Sequence, residues 1–128
     1  MKTLFFALVT MVGISTFAKD YIVETKNNHE GQSMTFHPIF LEVAVGDSVT
    51  FKPTNPGHNS QSFYLPEGAS SWEGETGKEI TVKFDKEGHY LYECVNHGVM
   101  GMVGLIKVGK AQDQEAAKEA LQKLKKKM

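Results

Sequence analysis

Cys94, His97 and Met102 stand at C-x2-H-x4-M spacing in the run Tyr-Glu-Cys-Val-Asn-His-Gly-Val-Met-Gly-Met, and Cys94 is the only cysteine of the chain. A thiolate, an imidazole and a thioether are soft or borderline donors. With one further histidine they compose a trigonal site of two histidines and one cysteine with a weak axial methionine, a set that suits one-electron copper chemistry. The segment Pro56-Gly57-His58-Asn59 offers that histidine, 36 residues upstream of Cys94. Taken singly, each residue has an ordinary reading: Met102 as core filler, His58 as a turn residue, Cys94 as a buried inert thiol. Taken together, with fixed spacing and a unique thiol, they point to a metal. Zinc competes for the thiolate and imidazoles, but the thioether favours copper. A Cys94–His97 nucleophile–base pair is the enzymatic alternative. It needs an accessible thiolate and an oxyanion site, and nothing in the chain supplies either.

Such ligands work only if other elements bring them together. Strand alternation puts Tyr90, Tyr92 and Cys94 on one face and His89, Leu91 and Glu93 on the other. If the first set faces a core, Cys94 ends a strand, and Gly98 and Gly101 let the next loop turn His97 and Met102 back towards it. The body from residue 20 to residue 108 is strand-like. Tyr21-Ile22-Val23 opens it, Phe36 to Val45 is β-branched and aromatic, and Ser48 to Lys52 and Ile80 to Phe84 alternate. His89 to Cys94 and Val103 to Val108 complete the set. Short strands punctuated by Gly, Pro and Asn predict an antiparallel sandwich or barrel. Residues 66–77 carry less strand signal and are expected to be a long connection with room for one helical turn. His29, His37 and His89 read as surface or satisfied core histidines.

The ends of the chain differ from its body. Lys2, the apolar run Leu4 to Ile14, and Thr16-Phe17-Ala18 before a polar Lys19 read as a cleaved secretory signal over residues 1–18. A membrane span would need about 20 apolar residues, more than this run provides. Removal leaves 128 − 18 = 110 residues, enough for one core. The mature part has 13 lysines against 15 acids and no arginine, which excludes a nucleic-acid footprint. In an oxidising compartment an unpaired cysteine is a liability unless a metal occupies it. Beyond residue 109, Ala117, Ala120, Leu121, Leu124 and Met128 form one apolar stripe. The acids lead and the lysines trail, which predicts a helix over 110–128 packed on a 19–109 sandwich.

The chain resembles the small blue-copper proteins, the cupredoxins, and among them the pseudoazurins. The likeness rests on Gly46 to Phe51, Gly57-His58-Asn59, Pro66 to Ala69, Gly88 to Cys94 and His97 to Met102, nearly the whole mature chain. It implies an all-β, cupredoxin-like Greek-key β-sandwich with a C-terminal α-helix. It also implies a single Cu(I)/Cu(II) ion held by His58, Cys94, His97 and Met102, with no enzymatic activity. Asn59 would donate its backbone amide to the Cys94 sulfur. The exposed edge of His97, ringed by Val99, Met100, Pro38 and Met34, would be the electron port. The implied function is a monomeric, periplasmic carrier of single electrons. Its donor would be a c-type cytochrome, and its acceptor a copper nitrite reductase or another reductase docking near His97. A copper-delivery protein is the alternative, although such sites expose their ligands and exchange metal readily. Three departures stand out. Asn96 replaces the proline usual before the second histidine, Glu93 and Pro56 occupy positions where lysine is frequent, and one helix stands where two are usual.

Overall fold

The computed structural model describes residues 17–29, 31–55, 57–95 and 102–126. The expected signal segment lies outside them, apart from Phe17 and Ala18. Among the described residues the strands are β1 (Asp20–His29), β2 (Gln32–His37), β3 (Phe40–Val43), β4 (Ser48–Pro53), β5 (Gln61–Tyr64), β6 (Ile80–Lys83), β7 (Gly88–Glu93) and β8 (Val103–Val108). The helix α1 (Gln114–Lys125) follows them. The strands form two sheets, ordered β2-β1-β4-β6 and β3-β8-β7-β5. Their facing sides bury Val23, Phe36, Val49, Phe51, Tyr92 and Ile106 in one core.

The pairing is mixed where sequence alternation predicts an antiparallel arrangement. β1 runs parallel to β4, and β3 runs parallel to β8. Parallel neighbours require long crossovers, and these carry the chain from one sheet to the other. The stretch from Phe36 to Val45 is not one strand. It divides at Pro38, which has no N–H to give a ladder, so β2 ends in one sheet and β3 begins in the other. β5, Gln-Ser-Phe-Tyr, has no period-two alternation, and it is fixed by its pairing with β7. The connection at 66–77 holds turns and no helix, and Glu73 bridges back to Gln61.

β7 is buried on both faces. Tyr90 and Tyr92 enter the core, while His89 and Leu91 are covered from outside by α1. Ala117 is the buried point of that helix, with Leu121 and Leu124 half-buried along the same stripe. Asp113 sits at the N-cap but does not cap the helix through its side chain. Its carboxylate instead accepts from the His89 backbone N–H (2.9 Å), from His89 Nδ1 (2.7 Å) and from the Tyr64 hydroxyl (2.8 Å). The start of the helix is thereby bonded to two strands.

Candidate metal centre

Three of the four candidate ligands lie among the described residues. His97 is outside them, as are Val99 and Met100 of the expected port and Asn96. Cys94 follows β7 with its side chain fully buried, and Met102 precedes β8 equally buried. The Cys94 N–H donates to the Met102 carbonyl at 3.2 Å, extending the β7–β8 ladder by one bond. This bond closes the neck of the 94–102 segment, so strand pairing holds both ends of the ligand run together.

His58 arrives from the β4–β5 connection. Gly57 before it takes φ of 91°, a left-handed conformation that glycine adopts without a Cβ clash. The backbone around His58 is then fastened from several sides. Gly77 N–H donates to the His58 carbonyl at 2.9 Å, and Gly74 N–H to the Ser60 carbonyl at 2.8 Å. The Ser60 hydroxyl accepts from the Trp72 indole at 3.0 Å. Asn59 links both sides of the site: its amide NH2 donates to the Gly74 carbonyl, and its Oδ1 accepts from Val95 N–H, each at 2.9 Å. Residues 58–60 and 94–95, which flank the candidate metal position, therefore share one strut.

The imidazole of His58 is 1% exposed and oriented from its far edge. Its Nε2 stands 2.6 Å from Oδ1 of Asn27 on β1. An amide oxygen can only accept, so the ring proton belongs to Nε2 and the lone pair to Nδ1. That Nδ1 lies 3.8 Å from the Cys94 sulfur. A sulfur about 2.3 Å and a nitrogen about 2.0 Å from one ion, at trigonal angles, would stand roughly 3.7–3.8 Å apart. The pair fits a metal between them without rearrangement. Asn27 is invisible in the sequence: it lies 31 residues from His58, outside any local motif, and only the β1–β4 pairing brings it there. Asn55 reinforces the contact by accepting the Asn27 backbone N–H at 2.9 Å.

The family model of copper-binding proteins of the plastocyanin/azurin family matches residues 23–109. A pseudoazurin of Methylorubrum extorquens is 38% identical over 115 residues, covering 88% of this chain and 78% of its own. The chain belongs to the pseudoazurin branch of this copper-binding family. A pseudoazurin of Paracoccus pantotrophus is 37% identical over 81% of this chain and 74% of its own. Native pseudoazurin from Hyphomicrobium denitrificans superposes with a TM-score of 0.76 at 40% identity, covering 78% of this chain and 83% of that one. A copper-containing nitrite reductase from Thermus scotoductus shares the fold at 23% identity, with a TM-score of 0.57 over 23% of its length. The cupredoxin fold, the copper cofactor and an electron-carrying rather than enzymatic role follow from membership. Copper supplies the one-electron couple; the protein supplies fixed donors and a dry surround.

Among the expected port residues, Pro38 and Met34 are both half-buried. Met34 packs against the core cluster. His37 is exposed on the surface as expected, while His89 is a core histidine satisfied by Asp113.

Proposed function

We propose that this cupredoxin holds one copper ion through His58 Nδ1, the Cys94 thiolate, His97 and an axial Met102, and cycles it between Cu(I) and Cu(II). The 3.8 Å approach of His58 Nδ1 to the Cys94 sulfur carries the reading. The burial of Cys94 and Met102 supports it, since a delivery site would expose its donors. Asn59 completes the surround, its backbone amide assigned to the thiolate. Residues 1–18 are a signal removed on export to the periplasm, 19–109 are the sandwich, and 110–128 are the packed terminal segment.

In this reading the protein works as a monomer and takes electrons from a c-type cytochrome. It passes them through the His97 edge to a reductase, such as a copper nitrite reductase. Glu93, next to Cys94, weakens the positive rim that would steer an acidic acceptor, so association should depend little on salt. Stopped-flow mixing of the Cu(II) protein with a reduced c-type cytochrome, then of the Cu(I) protein with a copper nitrite reductase, tests the partners. Second-order electron transfer in both steps is expected. Failure of both, with ascorbate still reducing the copper, would leave the copper assignment standing and reject these partners.

A further inference from the structure

The start of β1 is fastened by a buried carboxylate. Asp47, in the turn just before β4, is 5% exposed. Its Oδ1 accepts the Lys19 backbone N–H and its Oδ2 the Ala44 backbone N–H, each at 2.9 Å. Ser48 N–H donates to the Lys19 carbonyl at 2.9 Å, and the parallel β1–β4 ladder begins one step on, at Asp20 and Ser48. Bonds from the Lys19 amide and then the Ala44 amide hold the Asp47 carboxyl below its ordinary pKa, so it is ionised at neutral pH. Lys19 N is thus fixed against a negative charge, while Phe17, two residues earlier, is 85% exposed.

The cleft beside that nitrogen also carries Tyr21, Glu42 of β3 and Lys107 of β8. The side-chain ammonium groups of Lys19 and Lys107 offset Asp47 and Glu42. Glu87 and Lys110, of opposite sign, flank Gly109 at the rim. Asp20 takes the other face of β1, and Lys83, opposite Ser48 on β6, reaches the exposed Asp85 at 3.9 Å. These charges cancel in number, so the 2.9 Å contact, and not a general field, decides what Asp47 does.

We propose that Asp47 is the receptor for the mature amino terminus: once residues 1–18 are removed, the α-ammonium of Lys19 pairs with it and ties β1 to β4. The proposal rests on the reading of residues 1–18 as a signal. Peptidase hydrolysis breaks the C–N bond between Ala18 and Lys19. The hydroxyl of the water goes to the Ala18 carbonyl carbon and its proton to Lys19 N, which takes a second proton from solvent. The nitrogen already stands at its acceptor, so the neutral bond becomes a charge-assisted one, roughly twice as strong, without rearrangement. A cut one residue earlier would carry the ammonium away from Asp47, and a cut one residue later would remove the nitrogen. The pair raises the folded pKa of the α-amine above its unfolded value, about 7.7–8.0. Its stabilisation is therefore complete below about pH 8 and lost as pH rises through the folded value.

The test compares two copper-loaded, ascorbate-reduced chains, one starting at Lys19 and one at Phe17, which keeps the Lys19 amide and moves the ammonium into solvent. Urea midpoints are measured from pH 7 to pH 11, and the Lys19 Cα resonance is titrated by carbon-13 NMR. The chain starting at Lys19 should have the higher midpoint at pH 7 and lose that advantage at the alkaline end. Its α-amine should titrate about one unit or more above the ordinary value. Asp47→Asn should close the gap between the two chains; if that variant does not fold, the titration of the unaltered protein decides. Equal midpoints at pH 7, an ordinary α-amine titration, or an advantage that survives high pH or Asp47→Asn would overturn the pairing itself. Mass spectrometry of the exported protein separates the other failure: a terminus other than Lys19 would overturn the proposal through the signal reading, whatever the two chains show.

Discussion

Asn27 determines which nitrogen of His58 faces the metal position. Its Oδ1 holds the Nε2 proton at 2.6 Å, and such outer contacts raise the basicity of a ligating imidazole as well as aiming it. Asn27→Ala should therefore weaken Cu(II) binding by roughly 10- to 100-fold. It should also raise the reduction potential, because Cu(II) depends more on donor strength than Cu(I). Competitive chelator titration and protein-film voltammetry would read both effects; an unchanged affinity would mean that the strut through Asn59 suffices. Asn96, outside the described residues, concerns the same couple. We propose that its backbone N–H, absent in a proline, donates to the thiolate and stabilises Cu(I). Asn96→Pro should then lower the measured potential, and an unaltered potential would remove the thiolate from its set of partners.

Among the elements, β7 is the spine, and two of its contacts can be tested separately. At the copper side, Tyr92 lies opposite Gly104 on β8, and a Cβ at Gly104 would collide with the Tyr92 ring and hydroxyl. Gly104→Ala should cost about 1–3 kcal/mol through overpacking. The Tyr92 hydroxyl is buried with no hydrogen-bond partner among the described residues. Tyr92→Phe should accordingly be neutral or stabilising by up to about 1 kcal/mol, and chemical denaturation of the two variants should move in opposite directions. At the helix side, burial pushes the Asp113 carboxyl up, but bonds from His89 and Tyr64 outweigh it and hold its pKa below the ordinary value. Burial and the same carboxylate push the Tyr64 hydroxyl up to about 12. A depressed carboxyl contributes stability above its unfolded pKa, about 3.9, and loses it as pH falls through the lower folded value. Metal-free protein should lose stability below about pH 4, and Asp113→Asn should flatten that acid slope. Equal slopes in urea melts would show that Asp113 contributes nothing there.

These contacts also mark what could be read from residues alone. The candidate ligand run stands out because thiolate, imidazole and thioether sit within one short stretch, and the terminal helix was legible because its apolar stripe keeps a helical period. Ser48 to Lys52 and Ile80 to Lys83 announced themselves by alternation. β5 did not, since Gln61 and Ser62 carry no strand signal and pair only because β7 lies beside them. The break at Pro38 was hidden inside an apolar run, and the parallel pairing of β1 with β4 leaves no local trace. Asn27, Trp72 and Gly74 join the site through that non-local geometry, which spacing cannot encode.

At the scale of the whole molecule, two sheets and one packed helix place the proposed metal position at the end where Cys94 and Met102 extend the β7–β8 pairing. No helix among the described residues is long and apolar enough to cross a membrane. A small protein of this kind carries an electron by staying rigid while the copper changes charge, and the hydrogen-bonded residues 58–60 with 94–95 provide that rigidity. The central claim is that Cys94 binds copper as a thiolate with His58, His97 and Met102. Its most direct test is the visible spectrum of the mature protein, residues 19–128, with one equivalent of Cu(II). An intense blue charge-transfer band that bleaches with ascorbate, returns on reoxidation and is absent from a folded Cys94→Ala variant is the expected result. A pale complex without that band, or a blue band that survives Cys94→Ala, would contradict it.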